Sequence, residues 1–412
     1  MLMPLLPLRL PCALLATVAL LSAGVTTAEA RNLTELRGKL AAESRKLGAS
    51  SGAYVVDLTS GRELFERNPD RSLSPASNAK LFTTAAALLT FGEAGTLRTV
   101  AQLGADSAVD ADGRLDGDLY LVGGGDPSLN DVALKALALR LVTRTGLKSI
   151  TGSVVGDESH FDARRGSFDS DFQPDSDLGG QLGGLTWGHG RATPGGPATV
   201  AAARLQLFLG KLKVKVRRPP RTGLMARARG GAGEVVATVL SPPMKTLAAI
   251  TNQPSDNFYA ETLVKSMGAT FGTAGTTSAG LKVVHARMRT LGVTPPKLVD
   301  GSGLSRSDRA SPRQLVTFLR AMSTSDVSTA FIGSLAVPGR VGTLAGRMRG
   351  TAAEGRCQAK TGTLRGISAL SGYCRTVGGR VIAFSFLENR MDALSAKAVE
   401  DRMVPAIASY RP

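Results

Sequence analysis

Residues 75–91 read PASNAKLFTTAAALLTF. From Ala79 to Phe91 the residues are strong helix formers, and apolar positions run almost all the way round, which predicts a helix buried in a core. A lysine is costly there, because an ammonium taken out of water must be paired or neutralised. Positions i and i+3 share a helix face, so the Ser77 hydroxyl and the Lys80 amine fall within hydrogen-bond reach. On this segment alone a second reading stands beside the first: Ser77 caps the helix and Lys80 snorkels to water.

The 412 residues exceed what one ordinary domain needs, and 43% apolar with 20% charged residues predicts a packed globular chain. Cys12 to Val25 is an apolar run too short to span a bilayer comfortably, and "AEA" at Ala28–Ala30 has the small-x-small form of a signal-peptidase site, so residues 1–30 read as an export signal. Its n-region carries only Arg9, and Pro4, Pro7 and Pro11 interrupt the approach to the apolar run. Cleavage there removes one basic and one acidic residue and leaves the net charge at +17. Such a chain is drawn to polyanions, which outside the cytoplasm are wall polymers and anionic lipid surfaces. Basic residues cluster between Arg204 and Arg229, but "KLKVKV" alternates like a solvated sheet face and no aromatics interleave, which argues against nucleic acid.

Outside the signal, "NLTELRGKLAAESRKLG" is expected to be helical and "GAYVVDLTSGRELFERN" a hairpin turning at Thr59–Gly61. From about Thr99 to Leu240 the texture is short strands and loops, with a Gly/Pro-rich stretch from Gly179 to Pro197. Helices return at "MKTLAAITNQ" and "DNFYAETLVKSMGA", and "SPRQLVTFLRAM" carries a capping box on Ser311 and Gln314. The chain closes with the segment 357–374, a strand "VIAFSFLEN" and a last helix from about Asp392 to Ser409.

Within "CQAKTGTLRGISALSGYC", two strands around a turn at Arg365–Gly366 set Cys357 opposite Cys374 in a non-hydrogen-bonded pair. The Cα separation of such a pair, ~4.5 Å, is one a disulfide spans, and a bulge would spoil that register. An even pair of cysteines in an exported chain points the same way, with two free buried thiols as the alternative.

Two further polar clusters lie on segments expected to line a cleft. "PSDNFYAE" sets Ser255 and Asn257 between two helices, and "AKTGT" sets Lys360, Thr361, Gly362 and Thr363 in a strand. Acyl transfer needs a nucleophile, a base, a proton relay and donors for an oxyanion. Ser77 is the candidate nucleophile and Lys80 its base, deprotonated because burial and a second lysine lower its pKa. Ser255 is the candidate relay to a leaving amine. Lys360 and Thr361 are candidates for holding a substrate carboxylate, Gly362 for letting a substrate strand lie close, and the N–H groups of Ser77 and Thr363 for the oxyanion hole.

The order Ser-x-x-Lys, Ser-x-Asn, Lys-Thr-Gly resembles the penicillin-recognising serine acyl enzymes. "SPASNAKLFTTAAAL", "YLVGGGDPSL", "NQPSDNFYAETLVK", "VDGSGLSRSDRASPRQLVTFL" and "GTLAGRMRGTAAEGRCQAKTGTL" together resemble the class C low-molecular-mass penicillin-binding proteins, the D-alanyl-D-alanine carboxypeptidase/endopeptidase family. The 178 residues between Ser77 and Ser255 also suit that family, whose members carry extra domains between the first two motifs. The resemblance implies an exported, periplasmic or wall-facing enzyme with no metal or other cofactor, acting on peptidoglycan stem peptides and acylated by penicillin. It carries over Ser77, Lys80, Ser255, Asn257, Lys360, Thr361 and Thr363 as site residues.

The expected fold is α/β (α+β): a transpeptidase-like antiparallel sheet flanked by helices and interrupted by a mainly β insert. The boundaries are a signal at 1–30, a discontinuous catalytic domain at 31–95 and 243–412, and an insert at 96–242. "LGGLTWGHGRATPGG" departs from the family by being short and glycine-rich. His160, His189 and His285 sit in no nucleophile-elbow pattern and read as surface or core residues. "DESHFD" reads as loop, "GGGDP" as a turn capped by Asp126, and Trp187 as core. Asp300 and Arg306 read as loop structure. The rival functions are a β-lactamase-like hydrolase and a non-catalytic wall-binding scaffold.

Overall fold

The computed structural model describes residues 30–227 and 230–412. The expected export signal falls outside the described residues except for Ala30, which begins the first helix, α1 (30–44). Two strands follow, β1 (Ser51–Asp57) and β2 (Glu63–Arg67), then helix α2 (Ala79–Phe91). Residues 98–240 contribute β3 (Arg98–Gly104), β4 (Arg114–Leu115), β5 (Leu119–Gly123), α3 (Asp131–Thr145), β6 (Ser149–Ile150), β7 (Val154–Asp157), α4 (Pro197–Lys211), β8 (Lys215–Val216), β9 (Arg221–Thr222) and β10 (Ala232–Leu240). Helices α5 (Met244–Asn252), α6 (Asn257–Phe271), α7 (Thr277–Thr290), α8 (Pro312–Ser323) and α9 (Ser328–Gly333) come next. The chain ends with β11 (Cys357–Leu364), β12 (Ile367–Arg375), β13 (Val381–Asn389) and α10 (Ala393–Ala408).

The main sheet runs β11-β12-β13-β1-β2 and is antiparallel throughout, so strands from the two ends of the sequence meet where β1 pairs with β13. Its side chains alternate between two layers, as the period of a strand requires. Ile382, Phe384 and Phe386 face α1 and α10, packing with Leu36, Leu40, Val399 and Met403. Ala383 and Leu387 face the opposite layer with Phe82, Phe258 and Phe318. Cys357 is opposite Cys374 in the hairpin and the two are disulfide-bonded, with 4.0 Å between their Cα atoms. The predicted register holds because no bulge interrupts the pairing from Leu364–Ile367 to Cys357–Cys374.

The strands of residues 98–240 form two sheets of their own, β10-β3-β5-β7-β9 and β4-β6-β8. They share a core with α3 and α4, each of 15 residues, so this region is mixed α/β, richer in helix than the mainly β expectation. Of "KLKVKV" only Lys215 and Val216 are strand. The alternation breaks because Lys213 takes a left-handed backbone (φ 65°).

Candidate active site

Ser77 lies in a 3-10 turn, Ala76–Asn78, that feeds directly into α2, and Asn78 occupies the cap position without a side-chain bond. The capping reading of Ser77 therefore fails. Ala76 before it has φ 44°, in the left-handed region that costs an L-residue roughly 1 kcal/mol. That turn is gripped from two sides. A Cβ on Gly303 (φ 78°) would stand 1.9 Å from the Ala76 carbonyl oxygen, and one on Gly362 would stand 2.9 Å from that of Pro75 and 3.0 Å from Asn78 Nδ2. Gly362 thus serves close approach between β11 and the Ser77 turn.

One turn further on, Lys80 is fully buried. Its Nζ lies 3.1 Å from Ser77 Oγ, 2.6 Å from Asn257 Oδ1 and 2.6 Å from the Ser302 carbonyl oxygen. Asn257 is the first residue of α6, and its Nδ2 donates to the Asp177 carbonyl at 2.7 Å, which turns the amide oxygen toward Lys80. Burial lowers the Lys80 pKa to about 8, while Asp300, Glu261, Asp256 and Asp308 pull the other way. Lys360 is likewise fully buried, and burial together with the Lys80 charge pushes its pKa well down. Its Nζ donates to the Thr361 carbonyl at 2.9 Å, and Thr361 Oγ1 donates to Thr343 Oγ1 at 2.8 Å.

β11 is an edge strand, and Ala359 exchanges both its backbone hydrogen bonds with Ala336 on the outer side. The backbone alternates along a strand, so the N–H groups of Thr361 and Thr363 point to that same outer side. Thr363 itself is exposed. Ser255 joins α5 to α6 in the left-handed region (φ 68°), is half-buried, and enters no side-chain hydrogen bond among the described residues. The structure thus joins Ser77, Lys80 and Asn257 by direct contact, brings Lys360 within electrostatic range of Lys80, and leaves the Ser255 hydroxyl unpaired among the described residues.

A buried acidic shell, unexpected from the sequence, stands behind Lys80. Glu261 Oε1 accepts from the N–H groups of Gly301 and Ser302 at 2.8 and 2.7 Å. Asp300, expected to be loop structure only, accepts from Gly303 N–H and Ser305 N–H, each at 2.7 Å. The peptide whose carbonyl accepts from Lys80 therefore donates its own N–H to Asp300. Burial pushes the carboxyl pKa of Glu261, Asp300 and Asp308 upward. A carboxylate one turn along α6, on a helix whose residues 258–268 are all buried, was the signal for Glu261.

The model of the D-Ala-D-Ala carboxypeptidase 3 (S13) family matches residues 35–178 and 198–410. The chain belongs to that family. Among similar proteins, the D-alanyl-D-alanine carboxypeptidase of Actinomadura sp. (strain R39) is 33% identical over 94% of this chain and 87% of its own length. Carboxypeptidase DacB of Mycolicibacterium smegmatis is 28% identical, covering 86% of this chain and 79% of that protein. Penicillin binding protein 4 of Haemophilus influenzae has the same fold, with a TM-score of 0.76 at 20% identity over 90% of this chain and 99% of that one. The antiparallel sheet flanked by helices, expected from sequence, is the fold of the S13 chain.

Proposed function

We propose that this S13 enzyme cuts the terminal D-alanyl-D-alanine of peptidoglycan stem peptides, or the D-alanyl to diamino-acid cross-link, through an acyl-enzyme on Ser77. The donor count at Lys80 supports this reading most directly. A neutral amine has two N–H donors and one lone pair, and the Asn257 oxygen and the Ser302 carbonyl can only accept. Both donors are spent there, so the lone pair is left for the Ser77 hydroxyl proton. Lys80, with its pKa lowered to about 8, reaches that neutral form without a large penalty near neutral pH.

Ser77 Oγ attacks the carbonyl carbon of the penultimate D-alanine as Lys80 takes its proton. The oxyanion forms between the N–H groups of Ser77 and Thr363. Ser255 relays a proton to the leaving amine, and Lys360 with Thr361 holds the departing carboxylate. Water then hydrolyses the ester and regenerates Ser77. A β-lactam enters the same first step, but its amine stays tethered to the acyl group, so the adduct persists.

The substrate lies outside the cytoplasmic membrane, and no helix among the described residues is long and apolar enough to cross one. Exposed Lys211, Lys213, Lys215, Arg217 and Arg218 support peripheral attachment to an anionic wall or lipid surface, which salt-insensitive solubility in the presence of such surfaces would refute. The pairing of β1 with β13 supports one discontinuous catalytic domain over 31–95 and 243–412, with 96–242 as its insert. Failure of 96–242 to fold when expressed alone would count against that division.

The central test is intact-mass spectrometry after brief exposure to benzylpenicillin, with peptide mapping. A stable one-to-one adduct on Ser77, absent in Ser77→Ala, is the expected result. Rapid loss of the adduct would make the chain a β-lactamase, and labelling retained in Ser77→Ala would overturn the mechanism.

A further inference from the structure

His189 lies between the two stretches matched by the S13 model, in the glycine-rich segment that departs from the family pattern. Its Nδ1 is 3.0 Å from the Gly179 carbonyl oxygen and its Nε2 is 2.8 Å from Asp256 Oδ2. Its ring packs on Phe258, with centroids 4.6 Å apart. Asp256 stands between Ser255 and Asn257 and caps α6, its Oδ1 accepting from Tyr259 N–H at 2.9 Å.

Both partners of the imidazole are acceptors. A neutral imidazole has one N–H and one lone pair, so it satisfies only one of them. Asp256 sits at the N-terminus of α6, where the helix dipole and the Tyr259 N–H favour the carboxylate, so the ring is the source of both protons. Only the imidazolium makes both bonds.

Resting on the functional reading above, we infer that His189 is a positioning residue: as an imidazolium it fastens the segment 177–190 to the cap of α6, and so holds the Asp177 carbonyl against the Asn257 amide that faces Lys80. The chain of hydrogen bonds is continuous. Gln181 N–H donates to the Gly190 carbonyl at 2.9 Å, closing the segment into a loop. The Asp177 carbonyl, two residues before Gly179, accepts from Asn257 Nδ2. Without that acceptor in place, the Asn257 amide is free to turn its NH2 toward Lys80. The amide would then donate in competition with Ser77 for the lone pair.

The bond to Asp256 is the main cause raising the His189 pKa, against partial burial. Tyr259 packs on the same ring, Arg191 and Asp177 lie on its own segment, and Lys80 faces Asp256 from α2. Because the pKa is raised, the doubly bonded latch is complete below it and comes apart as pH rises through it. Lys80 behaves in the opposite sense, gaining competence as pH rises toward about 8. The two together produce a bell-shaped acylation profile whose falling limb belongs to His189.

His189→Gln retains one donor and has no charge to lose in this range. It is expected to give the same Ser77 adduct as the wild type, with acylation by benzylpenicillin slowed roughly 5-fold at the wild-type optimum, and with the falling limb gone. Circular dichroism confirms that the variant is folded. An unchanged falling limb in His189→Gln, at any amplitude, overturns the inference. A second readout does not depend on catalysis. With 15N-histidine labelling, the three histidines report separately, and His189 should carry protons on both nitrogens at about pH 7, where a free imidazole is largely neutral. A neutral His189 tautomer at that pH overturns the latch even if Ser77 is acylated normally. Absence of any adduct on wild-type Ser77, with His189 doubly protonated, would instead fault the functional reading alone.

Discussion

Lys80 and Lys265 are both fully buried, on two helices of one core, and they have opposite partners. Lys265 Nζ donates to the Asp162 carboxylate at 2.5 Å and to the Arg164 carbonyl at 3.0 Å. Among the described residues Lys80 donates to no carboxylate: its neighbours are an amide oxygen, a peptide carbonyl and a serine hydroxyl. Burial lowers both pKa values, so depth alone does not separate them. The partners do. Deprotonating Lys265 would strand Asp162 without its counter-charge, whereas deprotonating Lys80 leaves every partner satisfied once Ser77 turns its proton inward. A buried lysine paired with an acid ties segments together, and one paired with neutral acceptors and a hydroxyl is available as a base.

The largest effect is expected at Lys80. Lys80→Ala is expected to slow acylation of Ser77 by about 10²-fold or more, read as adduct formed against time with benzylpenicillin. A near-normal rate would move the base role to another group. Lys265→Ala should do the reverse. Removing it leaves a partly buried Asp162 unpaired, so stability should fall by about 3 kcal/mol, the low end for breaking a buried pair, as measured by denaturant unfolding. Its acylation rate in the folded protein should stay near that of the wild type. If Lys265→Ala instead slowed acylation as much as Lys80→Ala while unfolding normally, the distinction between the two lysines would disappear.

The features legible from sequence were those written locally. Helix α2 spans Ala79–Phe91 as its composition predicts, Ser311 and Gln314 form the expected capping box, and the pairing of Cys357 with Cys374 follows from counting back from one turn. Helices α3 and α4 carried signals of the same kind, an Asn130 cap with a left-handed Gly146 and a proline at the first turn of α4. They were submerged in a region dominated by short strands and glycine. The links that complete the site are non-local. His189 meets Asp256 across 67 residues, Glu261 meets Gly301 across 40, and Asn257 meets Asp177 across 80. No periodicity encodes such meetings, because packing between segments creates them.

Glu261 acts electrostatically on both lysines. In Glu261→Gln the amide oxygen can still accept from the Gly301 and Ser302 N–H groups, so the loop that presents the Ser302 carbonyl keeps its anchor. What disappears is a negative charge. That charge, after Asp300, raises the Lys80 pKa against burial. Without it the ammonium is held less firmly, and the rising limb of the acylation profile should move to lower pH, with a plateau within a few-fold of the wild type. Glu261 is itself pushed up by burial and by Asp300, so its charge is present only toward the alkaline side. The two profiles should therefore differ most around the Lys80 transition and converge at lower pH, where the wild-type carboxyl is already protonated. Lys265 keeps Asp162, so unfolding should change little. A limb that stays in place would mean that the Lys80 proton is governed by Asp300 and burial alone. A limb displaced to higher pH would mean that Glu261 acts on Lys80 chiefly by shaping the 301–302 loop and not by charge.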